Sequence, residues 1–279
     1  MSTYQEIMSS WASALFFYEK QEAETLVSWL FEHHLGLNKG GLLEHIEEQS
    51  FPARLYEDFE RLKSGEPIQY ILGKGPFYGR EFLVGPATLI PRNETEELVH
   101  LIIKENRQPG LKLLDIGTGT GCIPVTLGLE MNNPEVFAVD ISEEALKIAH
   151  QNSDALGAKV MFMKCDILSE NPSVPQLDIL VSNPPYIPEI QKQEMHRNVL
   201  EFEPALALFV PDDDPLLFYR TIAKKGKQLL KPDGKLYFEI NEEFGKEVAS
   251  LLSQLGYFQI QIIKDLNGKN RIVKGLLSF

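Results

Sequence analysis

A polar and aromatic turn, Asn183-Pro184-Pro185-Tyr186, directly follows the apolar run 177–182. The two prolines fix two consecutive φ angles and remove two N–H donors, so the turn presents mainly hydrogen-bond acceptors. The Asn183 side-chain oxygen and the Pro184 carbonyl can each accept an N–H, and the Tyr186 ring offers a flat face. The turn therefore suits a planar amino or amide group, although a proline turn that only closes a buried strand is the alternative.

A second motif lies upstream, where the apolar residues 111–116 run into Gly117-Thr118-Gly119-Thr120-Gly121 and a helical stretch follows. A strand, a glycine loop and a helix form the layout of a nucleotide-type cofactor site in an open α/β sheet, although a tight turn alone also uses glycines. Asp115 precedes the first glycine by two residues, where its carboxylate would repel a phosphate. It would instead suit the ammonium group of S-adenosylmethionine, which contains no phosphate.

Acidic residues end the next two predicted strands. Asp140 follows residues 135–139 and is placed to accept hydrogen bonds from both hydroxyls of a ribose, although Asp140 or Ser142 could equally cap the next helix. Asp166 follows residues 159–164 and could accept from an adenine amino group, with Ile167 against the ring. An ordinary loop acid is the alternative interpretation of Asp166.

The glycine loop, Asp140 and the Asn-Pro-Pro-Tyr turn resemble the S-adenosylmethionine-dependent methyltransferases that modify exocyclic or amide nitrogen. From about residue 60 to the C-terminus, the chain resembles the peptide chain release factor glutamine methyltransferases. The segments that carry this resemblance are 66–73, 77–79, 87–98, 202–208, 218–220, 229–234 and 264–271. The chain departs from the family at Asn93, where proline or glutamine is more usual, and at Pro124, which lies in the first turn of a helix and is tolerated there.

The resemblance implies methyl transfer to the side-chain amide nitrogen of the glutamine in the Gly-Gly-Gln motif of release factors. S-adenosylmethionine would be the cofactor and S-adenosylhomocysteine the product. The implied catalytic residues are Asn183, Pro184 and Tyr186. The implied substrate-binding residues are the same three with Pro185, Phe77 and Arg92, although hairpin packing would also explain Phe77. The implied cofactor-binding residues are Asp115, Gly117, Thr118, Gly119, Thr120, Gly121, Asp140, Asp166, Ile167 and Asn183.

Two other functions remain open at this point. Adenine and guanine amino groups in nucleic acid are planar with two N–H donors, so an Asn-Pro-Pro-Tyr turn also suits them. The net charge of −13, from 27 basic and 40 acidic residues, and the lack of a basic stripe argue against direct nucleic-acid binding. A non-catalytic S-adenosylmethionine-binding partner of the translation machinery is the other possibility, and the intact Asp115 and Asn183 argue against it.

The remaining composition favours a soluble cytoplasmic enzyme without a metal. No apolar run approaches the length of a membrane span, and residues 1–6 lack the pattern of a signal peptide, so we expect no membrane partner. Cys122 and Cys165 are expected to be free thiols in a reducing compartment. We expect no metal site, because a helix would splay the adjacent His33 and His34 apart and no Cys or Asp cluster accompanies them.

The predicted fold is α/β: a seven-stranded Rossmann-like methyltransferase sheet with an N-terminal helical bundle domain and a connecting β-hairpin. The predicted domains are a helical substrate-recognition domain at 1–73, the hairpin connector at 74–93 and the methyltransferase domain at 94–279. In the connector, residues 77–84 are expected to form one strand of a hairpin with residues 87–89. The seven strands are expected near 111–116, 135–139, 159–163, 177–182, 234–240, 257–263 and 270–276, the last two antiparallel.

Overall fold

The computed structural model describes residues 2–36, 45–46 and 51–278. The chain divides into two compact units, the first made of Met1–Lys74 with His196–Phe202 and the second of Gly75–Met195 with Glu203–Phe279. The inclusion of the segment His196–Phe202 in the first unit was not expected. The predicted division of the chain into three functional domains stays a prediction.

The first unit is mainly helical. Its elements are β1 (Ser2–Thr3), α1 (Tyr4–Ser13), α2 (Lys20–Leu35), β2 (His45–Ile46), α3 (Ala53–Lys63), α4 (Ile68–Leu72) and, later in the chain, α8 (Arg197–Phe202). The core contains Trp11, whose ring stacks on Phe59 at a centroid distance of 4.1 Å and meets Phe31 edge-on at 5.1 Å. The helical spacing of apolar residues in the sequence therefore corresponds to one buried helix–helix core.

The second unit contains the main sheet and the helices that cover it. It begins with β3 (Lys74–Phe77), β4 (Arg80–Leu83), α5 (Asn93–Glu105), β5 (Lys112–Ile116), α6 (Cys122–Glu130), β6 (Glu135–Asp140), α7 (Glu143–Leu156), β7 (Val160–Lys164) and β8 (Leu177–Ser182). It continues with β9 (Ile187–Pro188), a 3-10 helix (Glu189–Glu194), α9 (Ala205–Leu208), β10 (Phe209–Val210), α10 (Leu217–Leu229), β11 (Leu230–Glu239), α11 (Gly245–Gln254), β12 (Tyr257–Lys264) and β13 (Asn270–Leu277).

The seven strands of the main sheet lie in the order β12-β13-β11-β8-β5-β6-β7. The pairs from β11 through β7 are parallel, whereas β13 is antiparallel to both β11 and β12. All seven predicted strands are present, and the predicted fold class is confirmed. Chain order reverses between β5 and β8, which makes their carboxyl ends the expected place for a ligand site.

Both faces of the sheet are buried. Leu113 and Ile179 belong to the core on one face, and their neighbours Leu114 and Leu180 belong to the core on the other. Alternate residues of a strand point to opposite faces, so a near-continuous apolar run is what a doubly covered parallel strand requires. The central strands therefore give the site at their ends a rigid base.

The predicted connector hairpin is wrong in its pairing. Residues 77–84 do not form one strand paired with 87–89; instead, β3 pairs with β4 around a tight turn at Tyr78 and Gly79. Both turn residues have positive φ, 50° and 72°, which matches the twist of a two-residue hairpin. The alternation of apolar residues did not reveal this turn, because Tyr78 is not a typical residue for positive φ.

We predict that Gly121→Ala destabilises the fold more than the same substitution at Gly157, a glycine with a similar positive φ. Gly121 has a φ of 77°, and a Cβ there would lie 3.1 Å from the Ala149 Cβ and 3.3 Å from its Cα. Gly157 has a φ of 73° but open space around it. We expect losses in unfolding free energy of about 2–4 kcal/mol for Gly121→Ala and about 1 kcal/mol for Gly157→Ala, measured by urea denaturation. Equal losses would mean that the approach of α7 does not constrain Gly121.

Candidate active site

The site lies where β5 and β8 end side by side. Asp115 pairs with Val181 and Ile116 with Ser182 across these strands. The buried Ser182 hydroxyl donates to the Ile116 carbonyl at 2.7 Å, which ties the two strand ends together. The glycine loop after β5 and the Asn-Pro-Pro-Tyr turn after β8 therefore open onto the same edge of the sheet.

A cavity of about 270 Å³ lies at this edge. Most of the predicted site residues line it: Arg92, Gly117, Thr118, Gly119, Thr120, Asp140, Asp166, Ile167, Asn183, Pro184 and Pro185. Four predicted residues are not part of the lining, namely Phe77, Asp115, Gly121 and Tyr186. The lining is completed mainly by apolar residues, including Ile90, Leu206, Ala207, Phe218 and Ile222.

The glycine loop wraps around the end of β6. Gly117, Gly119 and Gly121 all have positive φ, at 75°, 53° and 77°, so glycine suits each position. The N–H groups of Gly117 and Thr118 donate to the Val139 carbonyl at 2.9 and 3.1 Å. These bonds hold the loop against the second strand and leave its inner side facing the cavity.

Asp140, at the end of β6, binds the glycine loop as well as its own turn. One carboxylate oxygen accepts from the Gly119 N–H at 2.8 Å, and the other accepts from the Ser142 N–H at 2.9 Å. Ser142 itself caps α7 by accepting from the Ala145 N–H, so the predicted alternative of a capping serine is correct. Burial raises the pKa of Asp140 above its ordinary value. Each carboxylate oxygen has a second lone pair that a ligand hydroxyl can use.

Asp115, two residues before the first glycine of the loop, is completely buried. Both of its carboxylate oxygens lack a hydrogen-bond partner within the described residues. Burial raises the pKa of this carboxyl from 3.8 to about 7. A buried polar group without a partner costs free energy, so a cationic donor supplied by a ligand would relieve that cost.

Asp166 is engaged in its own turn. Its oxygens accept from the Leu168 N–H at 2.9 Å and from the Ser169 hydroxyl at 2.8 Å, which is what the loop-acid interpretation predicts. Asp166 also lines the cavity together with Ile167, whose side chain is buried. The structural and the ligand-binding interpretations of Asp166 are therefore compatible.

The Asn-Pro-Pro-Tyr turn is held by Thr95, which also lines the cavity, and by Glu239, two residues that the sequence analysis did not identify. Asn183 Nδ2 donates to the Thr95 hydroxyl at 3.3 Å, and Thr95 donates to Glu239 Oε2 at 2.7 Å. The Tyr186 hydroxyl donates to the other oxygen, Glu239 Oε1, at 3.4 Å. Burial raises the pKa of Glu239 to about 7. Burial and the charge of Glu239 also raise the pKa of Tyr186, so its hydroxyl keeps its proton.

Glu239 carried one signal that sequence reasoning could have used. It closes the predicted strand 234–240, which neighbours β8 in the sheet, and acids that close such strands were considered at Asp140 and Asp166. Thr95 offered no such signal, because its contact depends on the docking of α5 against the strand ends.

One expectation about the rim of the site needs correction. Phe77 does not line the cavity; it is fully buried and packs edge-on against Phe82 at 5.8 Å. Glu203 accepts from the Ile90 N–H at 3.2 Å and from Arg92 at 2.5 Å. Glu203 therefore holds the segment that carries Arg92, and Arg92 itself does line the cavity as expected.

Cys122 and Cys165 are both buried free thiols, as predicted. Within residues 2–36, 45–46 and 51–278, no group of three or more His, Cys, Asp or Glu side chains is arranged to hold a metal ion. No described helix combines the length and apolar character needed to cross a membrane.

We predict that Asp115 makes the ligand-free protein less stable as pH rises from about 4 to about 7. Its carboxyl has a pKa of about 7 when folded and an ordinary value of 3.8, so the folded state binds the extra proton between these values. The associated stability is fully present below 3.8, falls as pH rises to about 7 by up to about 4 kcal/mol in total, and does not change further above that. Urea denaturation should find Asp115→Asn close to wild type at about pH 4 and more stable than wild type at pH 8.5. Parallel pH dependence of the two proteins would contradict the assignment.

Two family models match the chain. Residues 95–202 match the methyltransferase small domain, and residues 6–73 match the PrmC N-terminal domain. Solved structures that resemble the chain include a methyltransferase from Pyrococcus furiosus, with a TM-score of 0.53 and 16% identity over 81% of this chain and 98% of that chain. A ribosomal protein L11 methylase from Lactobacillus delbrueckii has a TM-score of 0.50 and 18% identity over 74% of this chain and 90% of that chain. At such identities these structures support the fold alone.

Curated relatives are much more similar in sequence. The release factor glutamine methyltransferase of Bacteroides thetaiotaomicron is 52% identical over 214 residues, 76% of this chain and 77% of the relative. The enzyme of the same name from Enterococcus faecalis is 41% identical over 275 residues, 96% of this chain and 97% of the relative. The relative from Bacillus subtilis is 37% identical over 96% of both chains. The chain therefore belongs to the release factor glutamine methyltransferase family.

Proposed function

We propose that the protein transfers a methyl group from S-adenosylmethionine to the side-chain amide nitrogen of a glutamine in peptide chain release factors. The glutamine of the Gly-Gly-Gln motif is the proposed acceptor. The observation that supports the proposal most strongly is that residues 117–120 of the glycine loop and 183–185 of the Asn-Pro-Pro-Tyr turn line the same cavity. The family of the chain supports both the reaction and the class of substrate.

The residues at the cavity, together with the buried Asp115 next to it in the chain, fit S-adenosylmethionine. The orphaned carboxylate of Asp115 would pair with an ammonium group, and the Asp140 oxygens retain lone pairs for ribose hydroxyls. Ile167 would lie against the adenine ring, and Asp166 would accept from its amino group. When bound, S-adenosylmethionine supplies an electrophilic methyl group on a sulfonium.

The acceptor side of the reaction depends on two oxygens of the turn. An amide nitrogen is a poor nucleophile, because its lone pair is delocalised into the carbonyl group. Asn183 Oδ1 and the Pro184 carbonyl would each accept one N–H of the substrate amide, so that the nitrogen is held in one orientation. Both oxygens also stabilise the positive charge that develops on this nitrogen during transfer.

No dedicated general base is proposed. The methylated amide is strongly acidic while it carries its extra proton, so the proton can leave to water. Tyr186 is held by Glu239 and does not line the cavity, so its proposed role is to fix the shape of the turn that carries the acceptor oxygens.

Release factors are also the proposed partner of the helical first unit, and a cytoplasmic location is proposed on the same basis.

Amino-group methylation of nucleic acid is not favoured, because the relatives are release factor glutamine methyltransferases and the net charge is −13. A non-catalytic role is not favoured either, because Asn183 and the glycine loop are in place at the cavity.

We predict that Asn183→Ala lowers methyl transfer by about 10²-fold or more, because a preorganised acceptor is lost. Wild-type protein, incubated with labelled S-adenosylmethionine, should label a purified release factor and leave tRNA, rRNA and DNA unlabelled. Affinity for S-adenosylhomocysteine, measured by calorimetry, should change only a few-fold in the variant, since most of its proposed contacts are on β5, β6 and β7.

Asn132→Ala is the matched control, since Asn132 is exposed and lies outside the cavity lining. It should methylate at the wild-type rate. Wild-type rates for Asn183→Ala would refute the amide clamp, and label in a nucleic acid instead of the release factor would refute the proposed substrate.

A further inference from the structure

Burial of the Glu239 carboxylate costs free energy, and none of the proposed steps of methyl transfer uses this group directly. It is 1% exposed, at the carboxyl end of β11, where Phe238 pairs with Ser182 just before Asn183. Taking a carboxylate out of water costs free energy, and an apolar side chain of similar volume would avoid that cost. The positive charge of Arg271 acts to lower the pKa of Glu239, but the ion pair that Arg271 forms is with Asp265, at 3.2 Å.

The hydrogen bonds of Glu239 have a defined direction. An ionised carboxylate accepts hydrogen bonds and donates none, so the single hydroxyl proton of Thr95 points to Glu239 at 2.7 Å. The Thr95 oxygen can then only accept from Asn183, which must present its Nδ2 at 3.3 Å. The other end of the amide, Oδ1, is thereby left to face a ligand.

We propose that Glu239 is a positioning residue for methyl transfer, which acts through Thr95 to fix which end of the Asn183 amide faces the substrate. The inference rests on the proposed function, since it is the substrate amide that needs an acceptor oxygen from Asn183. If the Asn183 amide were flipped, its NH₂ group would oppose the N–H groups of the substrate. Glu239 also anchors Tyr186 through its second oxygen, so one carboxylate would hold both polar ends of the turn.

Variants of nearly equal shape should differ in methyl transfer if the direction of these hydrogen bonds matters. In Glu239→Gln, the new side-chain NH₂ can donate to Thr95. Thr95 can then donate to Asn183 Oδ1, which reverses the direction of the hydrogen bonds between residues 239, 95 and 183. Thr95→Val keeps the branched shape and removes the hydroxyl, whereas Thr95→Ser keeps the hydroxyl. If direction matters, Glu239→Gln and Thr95→Val should both fail, and Thr95→Ser should retain function.

The test is steady-state methylation of a purified release factor at pH 8.5, where the Glu239 carboxyl is ionised. We expect kcat to fall by about 10- to 100-fold in Glu239→Gln and in Thr95→Val, with KM for the release factor changed little. Thr95→Ser should stay within about three-fold of wild type. The double variant Glu239→Gln/Thr95→Val should have a kcat no lower than that of the slower single variant. Substitutions that break the same series of hydrogen bonds do not have additive effects.

Two measurements separate positioning from loss of fold. Affinity for S-adenosylhomocysteine and the urea midpoint of Thr95→Val should match those of Thr95→Ser, and the side-chain amide resonances of Asn183 should shift in Thr95→Val only. If Glu239→Gln does not fold, the Thr95 pair decides alone. Wild-type kcat in Thr95→Val, or additive losses in the double variant, would overturn the proposal. A wild-type protein that leaves the release factor unlabelled would instead refute the proposed function, and the amide resonances would then still test the orientation of Asn183.

Discussion

The parallel pairing of β5 with β8 is the constraint on which the rest of the site depends. These strands are adjacent in the sheet but separated in the chain. Helix α6, which follows β5, packs on one face of the sheet, and α10, which comes after β8 in the chain, packs on the other. A crevice is expected where the strands end at such a reversal of chain order. The Ser182–Ile116 hydrogen bond fixes the two ends relative to each other. The glycine loop and the Asn-Pro-Pro-Tyr turn gain their mutual position from this pairing, and no contact between the two motifs themselves is needed.

Two buried carboxyl groups set the electrostatics of the crevice. Asp115 precedes the glycine loop and Glu239 accepts hydrogen bonds from Thr95 and Tyr186, and burial raises the pKa of each to about 7. They differ in their partners. Glu239 accepts from Thr95 and Tyr186 within the protein, whereas the oxygens of Asp115 have no partner among the described residues. The first arrangement suits internal positioning, and the second suits a cationic ligand that completes the site.

The sequence predicted the fold and much of the site because its signals are local. Apolar runs that end in glycines, acids or prolines mark strands and their carboxyl ends, and parallel strands bring those ends to one edge. Contacts between distant segments were not predictable in the same way. The Thr95–Glu239 bond joins residues 144 positions apart, and Glu203 contacts Ile90 and Arg92 from 113 and 111 positions away. Phe77 was misplaced because an aromatic residue in a short strand suits a core and a pocket wall equally.

The most direct test of this account is a crystal structure of the protein with S-adenosylhomocysteine and a peptide that contains Gly-Gly-Gln. We predict that the glutamine amide nitrogen lies within about 2.7–3.2 Å of both Asn183 Oδ1 and the Pro184 carbonyl, with one face of the amide plane toward the sulfur. Asn183 Nδ2 should still donate to Thr95. A glutamine side chain bound elsewhere in the cavity, or an Asn183 amide turned with Nδ2 toward the substrate, would contradict the account.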